Sequence, residues 1–387
     1  MSLPSRCDVA VLGGGLGGLL TAEALARAGA SVVLIEAAKG PVAASERALG
    51  IVGLGWLDSP ARLTSGLGER TARGLLAWSA LAMQSLAATT ARLDVPLHPT
   101  GSWRASLDAG ESGEWAESSR LLKSWGLSEP RSASPDELTS IARGLHGAFF
   151  LPGDGVLEVG GLLKALRASF DSAGGTRSVQ MSATLEERDG APVVRLGEKL
   201  LKCELAVVSA GVGAPEAHSF FRKCVYPVRI QAQRVTARVT PGSPPGTACP
   251  VIARHRFESW YRDSSTSLCF VGARWADQPE MGAGVTDDSR CSERVSARQD
   301  EFLSARLGVP MDAPRDRWSG IVSYTCDGLP LVGPLPGAPK VIALTGWSGW
   351  GLGLIARAVD EITSAMLGLP APDGAGTPSW LQTRRLV

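Results

Sequence analysis

The chain has 387 residues, 44% hydrophobic and 20% charged, which excludes a disordered or fibrous protein and suffices for two packed domains. Lys and Arg total 39 against 38 Asp and Glu, so no basic excess exists to hold nucleic acid through its phosphates. The seven cysteines (Cys7, Cys203, Cys224, Cys249, Cys269, Cys291 and Cys326) are scattered without a CxxC pair, and no apolar run fits a signal peptide or a transmembrane segment. These features predict a soluble cytoplasmic protein.

The first element is a β-branched run, Asp8–Leu12, that ends at Gly13-Gly14-Gly15-Leu16-Gly17-Gly18. A helical stretch follows from Leu19 to Ala28, Gly29 breaks it, and Ser31–Ile35 reads as a second buried strand closing on Glu36. Strand, glycine turn, helix, strand and acid within about 30 residues fit a dinucleotide cradle. Gly13 permits the tight turn, Gly15 lets backbone approach a pyrophosphate, and Gly18 lets helix pack on strand. Leu16 and Gly17 in the turn are expected cofactor-binding residues, and the helix N-terminus that follows faces the phosphates with its free N–H groups. Glu36 is placed to accept hydrogen bonds from a ribose. Its carboxylate disfavours a 2′-phosphate, hence NADP, but does not separate NAD from FAD.

Further along, residues 81–149 read as helical and loop-rich, and Leu162–Phe170 reads as a helix. Residues 223–319 alternate short β-type runs, Arg234–Val239 and Ser267–Gly272, with loops. Val341–Thr345 is a short buried strand, after which Gly349, Gly351 and Gly353 open a helix from Leu354 to about Leu367. This second nest of backbone N–H groups at a helix start suits an electron-rich group. The four histidines show no metal spacing, and there is no G-x-S-x-G elbow.

The segment Ala44-Ser45-Glu46-Arg47-Ala48-Leu49-Gly50-Ile51-Val52 resembles the turn that runs along the flavin in FAD enzymes of the D-amino acid oxidase, glycine oxidase and sarcosine oxidase family. The resemblance continues through Asp154–Val159, through Leu205–Val212 with Ala210 and Gly211 at its end, and through Tyr226–Gln231. It closes with Trp318-Ser319-Gly320, then Thr325–Gly333 including Gly328, and Thr345–Gly353 including Gly349, Trp350, Gly351 and Leu352. It implies an α/β fold: a discontinuous Rossmann-like FAD-binding domain (1–80, 150–222 and 320–387). An α+β substrate domain on an antiparallel sheet (81–149 and 223–319) completes it. It also implies oxidation of a C–N bond of an amine or amino-acid-like substrate, free, modified or borne on a peptide or protein, to an imine. Electrons would pass to O2 or another acceptor.

Trp350, Tyr324 and Tyr261 are the expected catalytic-site walls, with Trp347 and Trp56 as further candidates, and Arg47 is the expected catalytic cation. The sequence departs from the family in three places. Gly320–Tyr324 lacks the arginine that glycine oxidases carry after W-x-G; no lysine follows the closing glycines; and Gly320 stands where sarcosine oxidases attach flavin to cysteine. Non-covalent FAD is therefore expected, and so is a substrate other than a small amino acid in a fixed arginine clamp. Cations left to face a carboxylate are Arg47, Arg229, Arg254, His255 and Arg274. Flavin-dependent tailoring or monooxygenation, and a flavin-holding subunit of a complex, stay open as alternatives.

Overall fold

Strands β1 (Arg6–Leu12) and β2 (Val32–Glu36) pair in parallel, as their near-continuous apolar sequences require: both faces of such a strand are covered. The structure, a computed structural model, describes residues 3–37, 43–56, 58–179, 183–237, 248–255, 257–264, 266–272, 282–372 and 378–386. From β1 the parallel sheet extends on one side through β2 to Thr176–Val179. On the other side it runs through Lys199–Val208 to Ala338–Thr345. The hairpin Thr184–Arg188/Ala191–Leu196 pairs with the first half of Lys199–Val208.

Alternate residues of β1 and β2 enter different cores. Val9, Val11 and Leu34 pack under helix α1 (Leu16–Arg27) and the helices Val159–Ser172 and Ile355–Met366. Ala10, Leu12, Val33 and Ile35 pack on the opposite face with Phe221 and Ala214. Helix α1 begins at Leu16, ahead of the expected Leu19. Gly17 and Gly18 are poor helix formers, yet tertiary packing draws them into the first turn. A Cβ on Gly18 would lie 1.8 Å from the Gly13 carbonyl oxygen.

The second sheet runs in the order Arg315–Thr325, Val225–Thr236, Ser267–Val271, Glu258–Ser264, Val251–Ala253, Ser102–Ser106, Gly147–Leu151, Arg131–Ser132. Its pairings are antiparallel except that of Val251–Ala253 with Ser102–Ser106, which is parallel. The expected fold class is the one observed, an α/β unit with a sheet-based second unit. Several details differ from expectation. Val225–Thr236 is a long strand paired from Val225–Thr325 to Val235–Arg315, where short runs were expected; residues 238 and 239 of the expected run lie outside the described residues. Residues 81–149, read as helical and loop-rich, supply three strands of this sheet. The expected divisions at 80/81 and 319/320 fall inside helix Glu69–Arg92 and strand Arg315–Thr325.

The strand Ser102–Ser106 escaped the pattern because its polar residues point inward, where Ser102 and the Arg104 terminal nitrogens are paired while Arg104 Nε and Ser106 Oγ have no hydrogen-bond partner among the described residues. Arg104 is fully buried and Asp154 is 1% exposed, and their ion pair is 2.7 Å long. The Ser102 hydroxyl donates to Asp154 Oδ2 (2.6 Å), and the Leu54 N–H donates to Oδ1 (2.8 Å). Such added hydrogen bonds offset part of the cost of burying the two charges.

Candidate functional site

A cavity of about 610 Å3 opens beyond the carboxyl ends of the parallel strands and runs beneath the second sheet. That end of an open α/β sheet is where ligands bind, because the strand-to-helix turns leave N–H groups and space there. At Gly13, φ is +112° and the N–H donates to the Ile35 carbonyl (2.8 Å). A Cβ there would lie 2.3 Å from the Ser209 carbonyl oxygen, so only glycine fits. A Cβ on Gly15 would meet protein only at ordinary contact distance, 3.5 Å from Ser45 Oγ, so its absence makes room inside the cavity itself. Gly15 is the N-cap of α1 and offers no side chain; the hydroxyl of Ser45 accepts the Leu16 N–H instead (3.1 Å).

Glu36 ends β2 at the same turn and lines the cavity. Its Oε1 is buried and has no hydrogen-bond partner among the described residues. Burial pushes its carboxyl above the usual carboxylate range, opposed by Arg167 and Arg177. An ADP moiety fits this arrangement. The orphaned carboxylate oxygen suits a ribose hydroxyl, and the glycine turn with the start of α1 suits a pyrophosphate.

Helix α2 (Ala44–Arg47) carries Ala44, Ser45 and Arg47 along the next part of the wall, followed by Gly50 and Ile51. Gly50 has φ +83°, and a Cβ there would lie 2.2 Å from the Leu157 carbonyl oxygen. The indole N–H of Trp318 donates to the Arg47 carbonyl (3.0 Å). The Arg47 Nε is buried and has no hydrogen-bond partner among the described residues. Opposite stand Ala210 and Gly211, the latter with its carbonyl accepting from the Thr345 hydroxyl (3.3 Å). The closing turn places Gly349, Trp350, Gly351 and Leu352 on the wall, followed by a short 3-10 turn and then the helix from Ile355. Ser348 in that turn is non-glycine at φ +50°, held by its N–H to the Ser323 carbonyl (2.9 Å).

The second sheet faces this cavity with Ile230, Ala232, Phe257, Val271, Ile321 and Tyr324. His255 joins them from a turn in which both it and Arg254 adopt positive φ (+51° and +49°). Its N–H donates to Glu111 Oε1 (2.9 Å), and its Nδ1 lies 3.5 Å from Glu114 Oε1.

Three expected site residues do not line the cavity. Tyr261 is buried with its hydroxyl donating to the Leu49 carbonyl (2.9 Å), so it braces the flavin-side turn from behind rather than walling the substrate. Gly18 packs on Gly13, the role its place in the motif implies. Gly328 forms a positive-φ turn after Asp327, away from the wall. Among the further candidates, Trp347 lines the cavity, whereas Trp56 is buried in a cluster with Trp78 (5.6 Å between ring centres) and Trp380. Arg254 pairs with Glu258 (3.1 Å), neither Arg254 nor Arg229 reaches the wall, and Arg274 lies outside the described residues. Sequence reasoning passed over Gly14, Ser209 and Trp318. Gly14 is the signal that was available, since a Cβ there would collide with the Glu36 side chain.

Comparison with known proteins agrees with this geometry. The DAO family, described as FAD dependent oxidoreductase, matches residues 8–363. The glycine oxidase of Pseudomonas aeruginosa is 26% identical over 341 residues, 85% of this chain and 86% of that protein. The crystal structure of glycine oxidase from Geobacillus kaustophilus superposes with a TM-score of 0.78 at 20% identity, covering 99% of this chain and 100% of that one. L-proline dehydrogenase from P. horikoshii gives 0.73 at 16% identity, covering 99% and 98%. The orphaned Glu36 oxygen, the glycine cradle and the family match over most of the chain converge: this protein belongs to the DAO family of FAD-dependent oxidoreductases and is an enzyme with FAD as its cofactor.

Proposed function

We propose that this enzyme oxidises a C–N bond of an amine or amino-acid-like substrate to an imine. The observation that carries the reading is the continuity of the cavity: the dinucleotide cradle opens directly into a chamber walled by Trp318, Tyr324, Trp347, Trp350, Phe257 and Ile230. Bound FAD supplies the acceptor for the hydride equivalent leaving the carbon that bears nitrogen. The chain's own part is to exclude water and hold the substrate. An ammonium ion gives up no hydride, and an apolar wall lowers the amine's proton affinity by desolvation. Trp350 and Tyr324 are the walls assigned this task. Glycine oxidase and iminodiacetate oxidase among the related structures support a nitrogen-bearing substrate; the oxidase and dehydrogenase names together leave oxygen and another acceptor as two forms of the proposal.

The same proposal includes non-covalent FAD, supported by the absence of cysteine from the cavity lining among the described residues; Cys326 is exposed and away from it. It assigns residues 1–80, 150–222 and 320–387 to the FAD-binding domain and 81–149 and 223–319 to the substrate-binding domain, with Tyr324, Trp347 and Trp350 reaching the chamber from the former. A cytoplasmic location is supported by seven free cysteines. No helix among the described residues is long and apolar enough to cross a membrane. The test is anaerobic mixing of the yellow enzyme with a panel of amines, amino acids and N-substituted amino acids. Bleaching of the flavin band by members of that panel is expected. Bleaching by NADPH and by no amine would overturn the reading.

A further inference from the structure

We propose that Cys224 and Cys326 form a reversible disulfide when the enzyme meets a hydroperoxide. The bond staples the second sheet to the first at the two places where the chain crosses between them.

The strand Val225–Thr236 leads into the second sheet and Arg315–Thr325 leads out of it, and their register opposes Val225 to Thr325. Cys224 and Cys326 are the next residue on each side, so the same register opposes them. Opposed residues on an antiparallel ladder share a face and stand about 4.5–5.5 Å apart at Cα, inside the span of about 4.4–6.8 Å that a disulfide bridges. The electrostatics agree. Burial pushes the Cys224 thiol up to about 11, and after burial Cys326 is the neighbour with the largest effect on it, ahead of Arg385 and Asp327. Arg385 also fixes the turn that carries Cys326, donating to Asp327 at 2.7 and 3.1 Å.

The two thiols differ in access, which divides the chemistry between them. Cys326 is exposed, whereas Cys224 is buried with its thiol donating to the Phe220 carbonyl (3.5 Å). The Cys326 thiolate attacks one oxygen of the peroxide. An S–O bond forms, the O–O bond breaks, and the departing hydroxide takes the proton Cys326 gave up, leaving a sulfenic acid and water. The Cys224 sulfur then attacks the Cys326 sulfur. The S–S bond forms, the S–O bond breaks, and the second hydroxide leaves as water with the Cys224 proton. Two thiols lose two electrons, and the peroxide is reduced to two waters. Cys7 and Cys203 are also opposed, on the parallel sheet, but both are buried and neither meets the oxidant. The new bond closes a loop of about 100 residues that holds Val225–Thr236, Val251–Ala253, Glu258–Ser264, Ser267–Val271 and Arg315–Thr325. Where oxygen accepts the electrons from FAD, the enzyme itself makes the oxidant. Added peroxide serves as well, so the amine reaction need not run.

The test treats the reduced, FAD-loaded enzyme with a small excess of hydrogen peroxide. Free thiols are then alkylated in denaturant, and a tryptic digest without reductant is mapped by mass. The expected product joins peptide 224–229 to peptide 318–340, with the other five cysteines alkylated. The melting temperature should rise by about 5 °C, and dithiothreitol should reverse both changes. Cys326→Ser, at an exposed site off the cavity wall, should show neither. Recovery of Cys326 as sulfinic acid with Cys224 free, a bond between Cys7 and Cys203, or a dimer joined through Cys326 overturns the proposal. So do linked peptides without a gain in melting temperature, or the full gain in Cys326→Ser. If Cys326→Ser fails to fold, Cys224→Ala answers instead: dimedone should trap a sulfenic acid at Cys326, and an unmodified Cys326 there overturns the proposal.

Discussion

The carboxyl group of Glu36 lies over the backbone of Gly14, where a Cβ would sit 2.0 Å from its carboxyl carbon. The second glycine of the run is therefore what lets the acid turn into the cradle. Gly14 is not at positive φ, so alanine fits its backbone and acts only by pushing Glu36 aside. Gly14→Ala is expected to fold and to bind FAD about 10-fold or more weakly, the loss of a hydrogen bond to a charged group. Titration of the apoprotein with FAD checks this.

Glu36 also predicts a pH effect. Burial raises its proton affinity in the folded chain above its ordinary value of 4.5, so the folded state binds the proton more tightly than the unfolded state. The associated stability is fully present below 4.5 and is lost as pH rises through the raised value. Ionised Glu36 therefore destabilises the FAD-free protein at neutral pH. Glu36→Gln should raise the melting temperature of the apoprotein near neutrality, change it little in acid, and weaken FAD binding. A melting curve unchanged at neutral pH would show that the carboxylate is not desolvated.

The buried Arg104–Asp154 pair sets up a stability prediction. Asp154 holds the Leu54 N–H and packs against Gly53, whose carbonyl oxygen lies 3.3 Å from where a Cβ on Gly353 would be. Asp154→Ala leaves a charged guanidinium without its partner in a dry site and should cost about 3–5 kcal/mol. Replacing both residues with apolar ones of similar volume should recover much of that loss. Urea unfolding of the single and double variants measures both.

Tyr261 separates bracing from chemistry. Its hydroxyl is spent on the Leu49 carbonyl behind the cavity wall, so Tyr261→Phe should cost about 0.5–1.5 kcal/mol and leave turnover with a good amine substrate unchanged. A fall in kcat without loss of stability would return Tyr261 to the substrate chamber.

The thiols give a rapid check on burial. Cys7 is pushed up to about 12, and Cys203 and Cys224 to about 11, in each case chiefly by burial, whereas Cys326 is exposed. A thiol reagent on the native protein should label Cys326 first and leave Cys7, Cys203 and Cys224 unreacted until denaturant is added.

The cradle was legible because it is local. Strand, glycine turn, helix and acid lie within one short stretch, and each has a backbone reason for its residue type, so Gly13, Gly15 and Glu36 could be placed from their order alone. The second sheet was only half legible. Ser102–Ser106 and Val225–Thr236 mix polar and apolar residues, and their strand character comes from partners far away in the chain. Trp56 and Tyr261 were plausible walls on residue type; their burial behind the cavity depends on Trp78, Trp380 and Leu49.

By itself, the order of residues determined the nucleotide-binding unit and the enzyme family, since short-range pattern fixes the turns that meet a phosphate and a ribose. Tertiary structure alone decided which side chains share the chamber. Arg47 and Gly320 are 273 positions apart by number, and only the tertiary fold brings a bare backbone against the arginine stem at the wall of the cavity.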